Sequence, residues 1–148
     1  MDKHDIYIKI ENEIQKNKDG LTELGRELFN HPEPGFKEVE SNKILTSFLR
    51  ENGISCRSDI CLTGIRAEIG NGEGYHIALV ADMDALIVDD GEKRYPCHSC
   101  GHSIQTAVMA YVLKMLNDMK LCGETGGRVT FIAAPAEEFI EFEYRQKL

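Results

Sequence analysis

Two thiols and two imidazoles lie within one short stretch, residues 96–102, which reads PCHSCGH. Such side chains are soft or borderline ligands, suited to zinc and its neighbours in the first transition row. An apolar run with a helical period follows, so Cys100 and His102 should lie where a helix begins. The positive end of the helix dipole favours the thiolate form that binds metal. Together with a carboxylate later in the chain, this pattern predicts a metal site with open coordination positions. The alternative is that the two cysteines are small core residues and that His102 is a polar residue at the start of the helix.

Two adjacent carboxylates, Glu137 and Glu138, follow Pro135 near the end of the chain. Neighbours in a regular strand point to opposite sides, so both could reach one ligand only if the chain bends after Pro135. One carboxylate would then bind the ion, and the other would take a proton from water at the ion. A solvated acidic turn is the alternative for this pair.

A third acidic pattern is Asp82-Met83-Asp84, which places two carboxylates on the same side of an extended segment. These carboxylates could bind a second ion or orient a ligand of the first. A polar strand end is an equally good interpretation. The other histidines and cysteines are expected to be packing or capping residues: His31, His76, Cys56, Cys61 and Cys122.

Hydrophobic periodicity and turn residues divide the chain into alternating helices and strands. Helices are predicted over residues 5–30, with a possible break at Asp19-Gly20, and over 38–52 and 103–120. Strands are predicted over 64–69, 76–80 and 128–133, the second buried on both faces and adjacent to the first. Turns, loops and connections are predicted at 31–35, 71–74, 87–96 and 121–127, and a tail that is amphipathic at best at 139–148.

This alternation predicts an α/β fold with three layers, a mostly parallel sheet and helices on both faces. Ligands of such sheets bind beyond the carboxyl ends of the strands. Both acidic patterns follow a predicted strand, and Cys100 and His102 precede a helix that returns from the same edge. The polar groups should therefore converge. A chain of 148 residues has the size of one domain.

Charge and cysteine content narrow the possible partners and the compartment. The net charge of -8 argues against a nucleic-acid or anionic-membrane partner. The chain has no apolar run of membrane-spanning length, and its first residues are too polar for a signal peptide. Its 5 cysteines, an odd number, indicate reduced thiols. We therefore expect a cytoplasmic protein.

Four motifs occur in the order and approximate spacing of one known family. They are NHPEPGFKE at 30–38, ADMDAL at 81–86, HSCGH at 98–102 and PAEE at 135–138. The chain thus resembles the metallo-amidohydrolases related to aminoacylase and carboxypeptidase G, peptidase family M20. The similar branch includes hippurate hydrolases and indole-acetyl-amino-acid hydrolases.

The resemblance implies a hydrolase with two metal ions, commonly zinc or manganese, that cleaves the amide bond of N-acyl-amino acids or small peptides. It implies that Cys100, His102 and Glu138 are metal ligands. It further implies that Glu137 is the general base and that Asp84 is the acidic support behind the site.

The chain also departs from the family pattern. Ser103 stands where the family usually has Asp, Ile87 where it usually has Pro, and apolar and acidic residues rather than glycines follow Glu138. These changes suggest a divergent subgroup. The family's remaining histidine ligands and its lid and dimerisation domain would lie beyond Leu148, so the expectation is a truncated N-terminal part of a catalytic domain. Such a fragment should have little amidase activity and should self-associate, as a homodimer, through its exposed sheet edge.

Two other functions compete with hydrolysis. Cys97, Cys100, His102 and one carboxylate could close around a structural zinc ion in a non-enzymatic module. The Cys97-x-x-Cys100 spacing is also found in thioredoxin-type redox proteins, but the helix-rich first segment lacks the βαβ context.

Overall fold

The computed structural model describes residues 3–148, which form helices and strands in an α/β arrangement. The helices are α1 (Lys3–Phe29), α2 (Val39–Glu51), α3 (His102–Asp118), α4 (Leu121–Thr125) and α5 (Phe142–Arg145). The strands are β1 (Cys56–Ile60), β2 (Gly64–Ile69), β3 (His76–Asp82), β4 (Leu86–Asp89), β5 (Arg94–Cys97) and β6 (Arg128–Ala134). The predicted α/β class and the three long helices are confirmed.

The first helix continues through Asp19-Gly20, so the possible break there is wrong. Gly20 faces Tyr111 of α3, and a Cβ atom at this position would overlap the phenol oxygen. Close packing of the two helices thus explains a glycine that local sequence reasoning takes for a helix break.

The main sheet is mixed and has the strand order β1-β2-β6-β3. β1 with β2 and β2 with β6 are antiparallel pairs, and only β3 with β6 is parallel. The prediction of a mostly parallel sheet is therefore met by one pair alone. The prediction that β2 and β3 are neighbours is also wrong, because β6 lies between them. The pattern of one strand does not identify its pairing partner.

The hydrophobic core lies between one face of this sheet and the three long helices. Ile65, Ala67, Val129 and Phe131 alternate along β2 and β6 towards the helices, where they join one buried cluster. α2 and α3 contact the sheet and each other, and α1 packs on both. The opposite face carries polar side chains such as Arg66 and Glu68. Within residues 3–148, α2 and α3 cover one face of the sheet, and the predicted three-layer arrangement with helices on both faces is not fully confirmed.

Strand β3 is less buried than its apolar sequence predicts. Ile77 and Val80 are each 49% exposed, whereas Ala81, which directly follows Val80, is fully buried. β3 is the last strand of the sheet, paired on one side with β6. The prediction of burial on both faces is therefore wrong.

Two segments predicted as irregular contain regular structure. Residues 87–96 include most of a separate hairpin, in which β4 and β5 pair antiparallel. Its turn contains Gly91 with φ 90°, a conformation that suits glycine. The short helix α4 lies inside the predicted connection 121–127. None of the helices in residues 3–148 combines the length and hydrophobicity needed to cross a bilayer.

Candidate metal centre

Helix α3 begins with a left-handed turn that separates the candidate thiol from the candidate imidazole. Gly101 precedes the helix with φ 90°, and Ile104 and Gln105 donate backbone hydrogen bonds to its carbonyl group. A residue with a Cβ atom rarely adopts this φ. The turn brings Cys100 and His102 to the same neighbour, the backbone carbonyl of Asp84.

The tautomer of His102 follows from its hydrogen bond to Asp84. The Nδ1 atom lies 2.9 Å from the carbonyl oxygen of Asp84. A carbonyl oxygen can only accept, so Nδ1 carries the proton, and in the neutral ring the lone pair is on Nε2. Metal-binding histidines are commonly oriented by such a second hydrogen bond. The structure thus prepares Nε2 of His102 as a ligand atom.

The side chain of Asp84 joins the end of β3 to the segment that follows β6. This carboxylate is 0% exposed. Its Oδ1 accepts a hydrogen bond from the backbone N–H of Glu137 at 3.1 Å, and its Oδ2 accepts one from Glu138 at 2.8 Å. Its Oδ1 also lies 3.5 Å from Nδ1 of His102. Asp84 therefore holds both halves of the candidate site.

The segment after Pro135 bends, as simultaneous use of Glu137 and Glu138 requires. Ala136 has φ 58°, in the left-handed region. Its backbone N–H donates to Oε1 of Glu38 at 2.8 Å, and Oε2 of Glu38 accepts from the Thr63 hydroxyl at 2.5 Å. Glu38 is 0% exposed, and burial raises the pKa of its carboxyl group. A buried carboxyl group thus fixes the bend at Ala136, next to the two residues that Asp84 binds.

Cys100, His102 and Glu138 come together around one point. One ligand atom from each, a sulfur, a nitrogen and an oxygen, lie within 4.8 Å of one another. Zinc bonds to such atoms measure about 2.0–2.3 Å, so this spacing suits a single ion. The donor set, one cysteine sulfur, one imidazole nitrogen and one carboxylate oxygen, is of a kind that zinc accepts. It is the only such group of three among residues 3–148.

Glu137 lies beside this group without belonging to it. Its Oε2 is 3.9 Å from Nε2 of His102, and its side chain is 54% exposed. A solvent-accessible carboxylate at this distance could take a proton from a water molecule near the ligand atoms. The two adjacent carboxylates therefore have different surroundings. Glu137 is exposed to solvent, whereas a carboxylate oxygen of Glu138 lies near Cys100 and His102.

Other candidates lie outside the group. Among the described residues, Cys97 is not part of any set of three potential ligands, and neither is Asp82. His98 is 5% exposed and is likewise outside any such set within residues 3–148. Burial is the main cause that lowers the pKa of His98, which favours its neutral form. A closed zinc site with Cys97 therefore has no support in this geometry.

Sequence reasoning missed two acidic residues that support the site from the 31–38 loop. Glu33 accepts hydrogen bonds from the backbone N–H groups of Glu40 and Ser41 at the start of α2. The carbonyl of Glu33 accepts from Ala85, next to Asp84, at 2.8 Å. Glu38 fixes the bend at Ala136 by accepting its backbone N–H. Both residues lie in the first motif, and the only available signal was that this motif occurs with the other three.

The chain is similar in sequence to an amino acid hydrolase and to a deacetylase. It is 31% identical over 127 residues to the IAA-amino acid hydrolase ILR1-like 5 of Arabidopsis thaliana, covering 81% of this chain and 29% of that protein. It is 37% identical over 128 residues to the N-acetylcysteine deacetylase of Bacillus subtilis, covering 80% of this chain and 33% of the relative. No protein-family model matches the chain.

A solved structure agrees with these sequence relatives. The YXEP protein of Bacillus subtilis, described as a dinuclear metal binding peptidase from the M20 family, superposes with a TM-score of 0.73 and 33% identity. The match covers 83% of this chain and 36% of the YXEP chain. Over most of its length the chain therefore resembles the M20 family. Members of the M20 family are metal-dependent amidohydrolases and peptidases, so the resemblance seen in the four motifs is confirmed. The chain spans 29% of the length of the plant relative.

Proposed function

We propose that this chain forms part of a metal-dependent hydrolase that cleaves the amide bond of N-acyl-amino acids or small peptides. The observation that carries the proposal is the group formed by Cys100, His102 and Glu138. Two relatives, an IAA-amino acid hydrolase and an N-acetylcysteine deacetylase, support this class of substrate.

The proposed roles follow from the surroundings of each side chain. Cys100, His102 and Glu138 would hold a divalent ion, which would polarise a substrate carbonyl and make water more acidic. Glu137 is exposed and lies close to Nε2 of His102, so it would accept the proton from water. Asp84 is buried and touches no solvent, so it would position the others through its contacts with His102, Glu137 and Glu138.

The identity and number of the metal ions are further parts of the proposal. Zinc and manganese are the ions expected from the family, and the Cys100 thiolate favours zinc over manganese, which prefers oxygen ligands. The related YXEP peptidase is dinuclear, whereas residues 3–148 bring together one set of three ligand atoms. We therefore propose one ion here and little or no amidase turnover by these 148 residues. Normal steady-state turnover of acyl-amino acids would contradict this proposal.

We further propose that the chain corresponds to an N-terminal part of a catalytic domain and forms a homodimer. The small share of the relatives' length that it spans supports the first point. The exposed edge strand β3, with Ile77 and Val80, supports the second, because an unpaired apolar edge can pair with another copy. Light scattering that showed a monomer at high concentration would contradict the dimer. A cytoplasmic location stays a prediction from the polar first residues and the absence of an apolar run of membrane-spanning length.

Cobalt binding tests the proposed ligand set directly. Co²⁺ commonly replaces Zn²⁺, and a thiolate bound to Co²⁺ gives a charge-transfer absorption band. We expect this band in the wild-type protein and its loss in Cys100→Ser. The matched control is Cys61→Ser, since Cys61 is a free, exposed cysteine outside the group. A band of equal strength in all three proteins, or no band in any of them, would overturn the proposed site.

A further inference from the structure

The last residues of the described chain fold back onto the segment that carries Glu137 and Glu138. Arg145, in α5, donates from Nη1 and Nη2 to the carbonyl of Ala136, at 3.2 Å each. Its Nη2 also donates to the carbonyl of Glu138, and its Nε donates to that of Ile140 at 2.8 Å. One guanidinium group therefore binds the backbone on both sides of Glu137.

Aromatic and ionic contacts hold Arg145 and its helix in this position. The guanidinium carbon lies 5.2 Å from the ring centroids of both Phe36 and Phe139, a distance typical of cation–π contacts. Lys37 forms an ion pair with Glu141 at 2.9 Å and lies 4.4 Å from the centre of the Tyr144 ring. The tail is thus attached to residues 36–37, which precede the buried Glu38.

The backbone of the bend depends on these side chains. The N–H groups of Ala136, Glu137 and Glu138 donate to the carboxylates of Glu38 and Asp84. Arg145 binds two carbonyl groups of the same segment. Strand β6 ends at Ala134, so the strand ladder does not extend to these residues. Because Ala136 has an unfavourable positive φ for a residue with a Cβ atom, external contacts must maintain the bend.

We propose that Arg145 is a positioning residue for the metal ligand Glu138. It acts through the backbone, by fixing the two carbonyl groups that flank Glu137, and it does not touch the ion. The proposal rests on the proposed metal-binding function of Cys100, His102 and Glu138. Replacement of a group that orients a metal ligand commonly lowers metal affinity by about 10–100-fold.

The experiment measures the Co²⁺ affinity of purified, folded protein by titration of the thiolate charge-transfer band. We expect Arg145→Met, which keeps the aliphatic stem, to bind Co²⁺ about tenfold more weakly than the wild type. The band itself should persist, because Cys100 is unchanged. The matched control is Arg66→Met, since Arg66 pairs with Glu68 on the opposite face of the sheet and should leave the affinity unchanged.

A double-mutant cycle separates positioning from a general loss of stability. In a Glu138→Gln background, Arg145→Met should cause no further loss of affinity, because the ligand that Arg145 positions has been removed. A lower melting temperature of the metal-free protein, with wild-type Co²⁺ affinity, would mean a structural role only and would overturn the proposal. Equal additional losses in both backgrounds would also overturn it.

The two proposals fail in different ways. If wild type and Cys100→Ser give the same spectrum, the metal site itself is wrong. If the wild-type band depends on Cys100 but Arg145→Met binds Co²⁺ as tightly as the wild type, only the role of Arg145 is wrong. Should Arg145→Met not fold, Arg145→Gln is measured against the same two criteria.

Discussion

The Oδ2 atom of Asp84 accepts a hydrogen bond from the backbone N–H of Glu138 at 2.8 Å. Asp84 follows β3 and Glu138 follows β6, and these two strands form the parallel pair of the sheet. Since the carboxyl ends of parallel strands meet at one edge, residues 54 apart in sequence become neighbours. The parallel pairing of β3 and β6 thus brings Asp84 and Glu138 together in the candidate site.

Replacement of Asp84 by Asn should therefore lower the stability of the folded protein. An amide offers one oxygen and one NH₂ group, so one of the two backbone N–H groups at Glu137 and Glu138 would face a donor. Leaving a buried donor without a partner costs about 1–3 kcal/mol. We expect the free energy of unfolding of Asp84→Asn, measured by urea denaturation of the metal-free protein, to fall by that amount.

Asp82→Asn provides the matched control for this variant. Asp82 lies two residues earlier and is only partly buried, and the described hydrogen bonds of Glu137 and Glu138 do not involve it. Its replacement should change the unfolding free energy by less than about 0.5 kcal/mol. Equal losses in the two variants would contradict a special role for Asp84.

The buried carboxyl group of Glu38 should make stability depend on pH. Burial is the main cause that raises its pKa above 4.5 in the folded protein, and hydrogen bonds from Thr63 and Ala136 oppose that rise only in part. A raised folded-state pKa means that the folded protein holds this proton more tightly than the unfolded chain. The resulting stability is fully present below pH 4.5 and is lost as pH rises through the folded-state pKa.

Urea denaturation at a series of pH values tests this prediction with Glu38→Gln. The difference in unfolding free energy, wild type minus variant, should decrease as pH rises from 4.5. Glu40→Gln is the control with the opposite sign, because the hydrogen bond from Lys43 lowers the pKa of Glu40. Its contribution should be lost as pH falls. Parallel curves for the wild type and Glu38→Gln would show that Glu38 does not titrate as expected.

Local patterns in the sequence predicted the parts of the site that depend on single strands or helices. The helical period after His102 and the buried run before Pro135 placed Cys100, His102 and Glu138 near one edge. Strand pairing was harder to predict from the sequence, because nothing within β2 or β3 indicates that β6 lies between them. The hairpin of β4 and β5 was missed despite Asp90-Gly91, a dipeptide that is common in hairpin turns.

The contacts that fix the bend could not be predicted from local sequence. Glu38 reaches Ala136 across 98 positions, and nothing in the spacing of either residue indicates the pairing. Arg145 lies in a tail that has only a weakly amphipathic pattern, yet it binds three carbonyl groups within residues 136–140. Such contacts are determined by the tertiary structure, which explains why local patterns indicated the group of Cys100, His102 and Glu138 but not the residues that support it.

Removal of metal should leave the fold intact. The elements that carry the proposed ligands are held by the core, where Leu113 of α3 and Phe131 of β6 are both 0% exposed. We therefore expect EDTA to leave the far-UV circular dichroism spectrum unchanged and to lower the melting temperature by a few degrees at most, by loss of ligand stabilisation. A structural zinc module would instead unfold. Cys100→Ser, treated in parallel, should be insensitive to EDTA.

Two glycines in α1 should respond in opposite ways to replacement by alanine. Alanine in a helix interior is normally favoured over glycine by about 0.5–1 kcal/mol. At Gly25 the new Cβ would lie 3.7 Å from the Cβ of Ala107, an ordinary contact, so Gly25→Ala should stabilise the protein by that amount.

At Gly20 the Cβ would overlap the phenol oxygen of Tyr111, whose ring centroid lies 4.8 Å from that of Phe48. Overpacking of this kind costs about 1–3 kcal/mol, so Gly20→Ala should destabilise the protein in the same urea denaturation measurement. A stabilised Gly20→Ala variant would mean that Tyr111 moves freely and that the close packing of α1 on α3 does not require glycine.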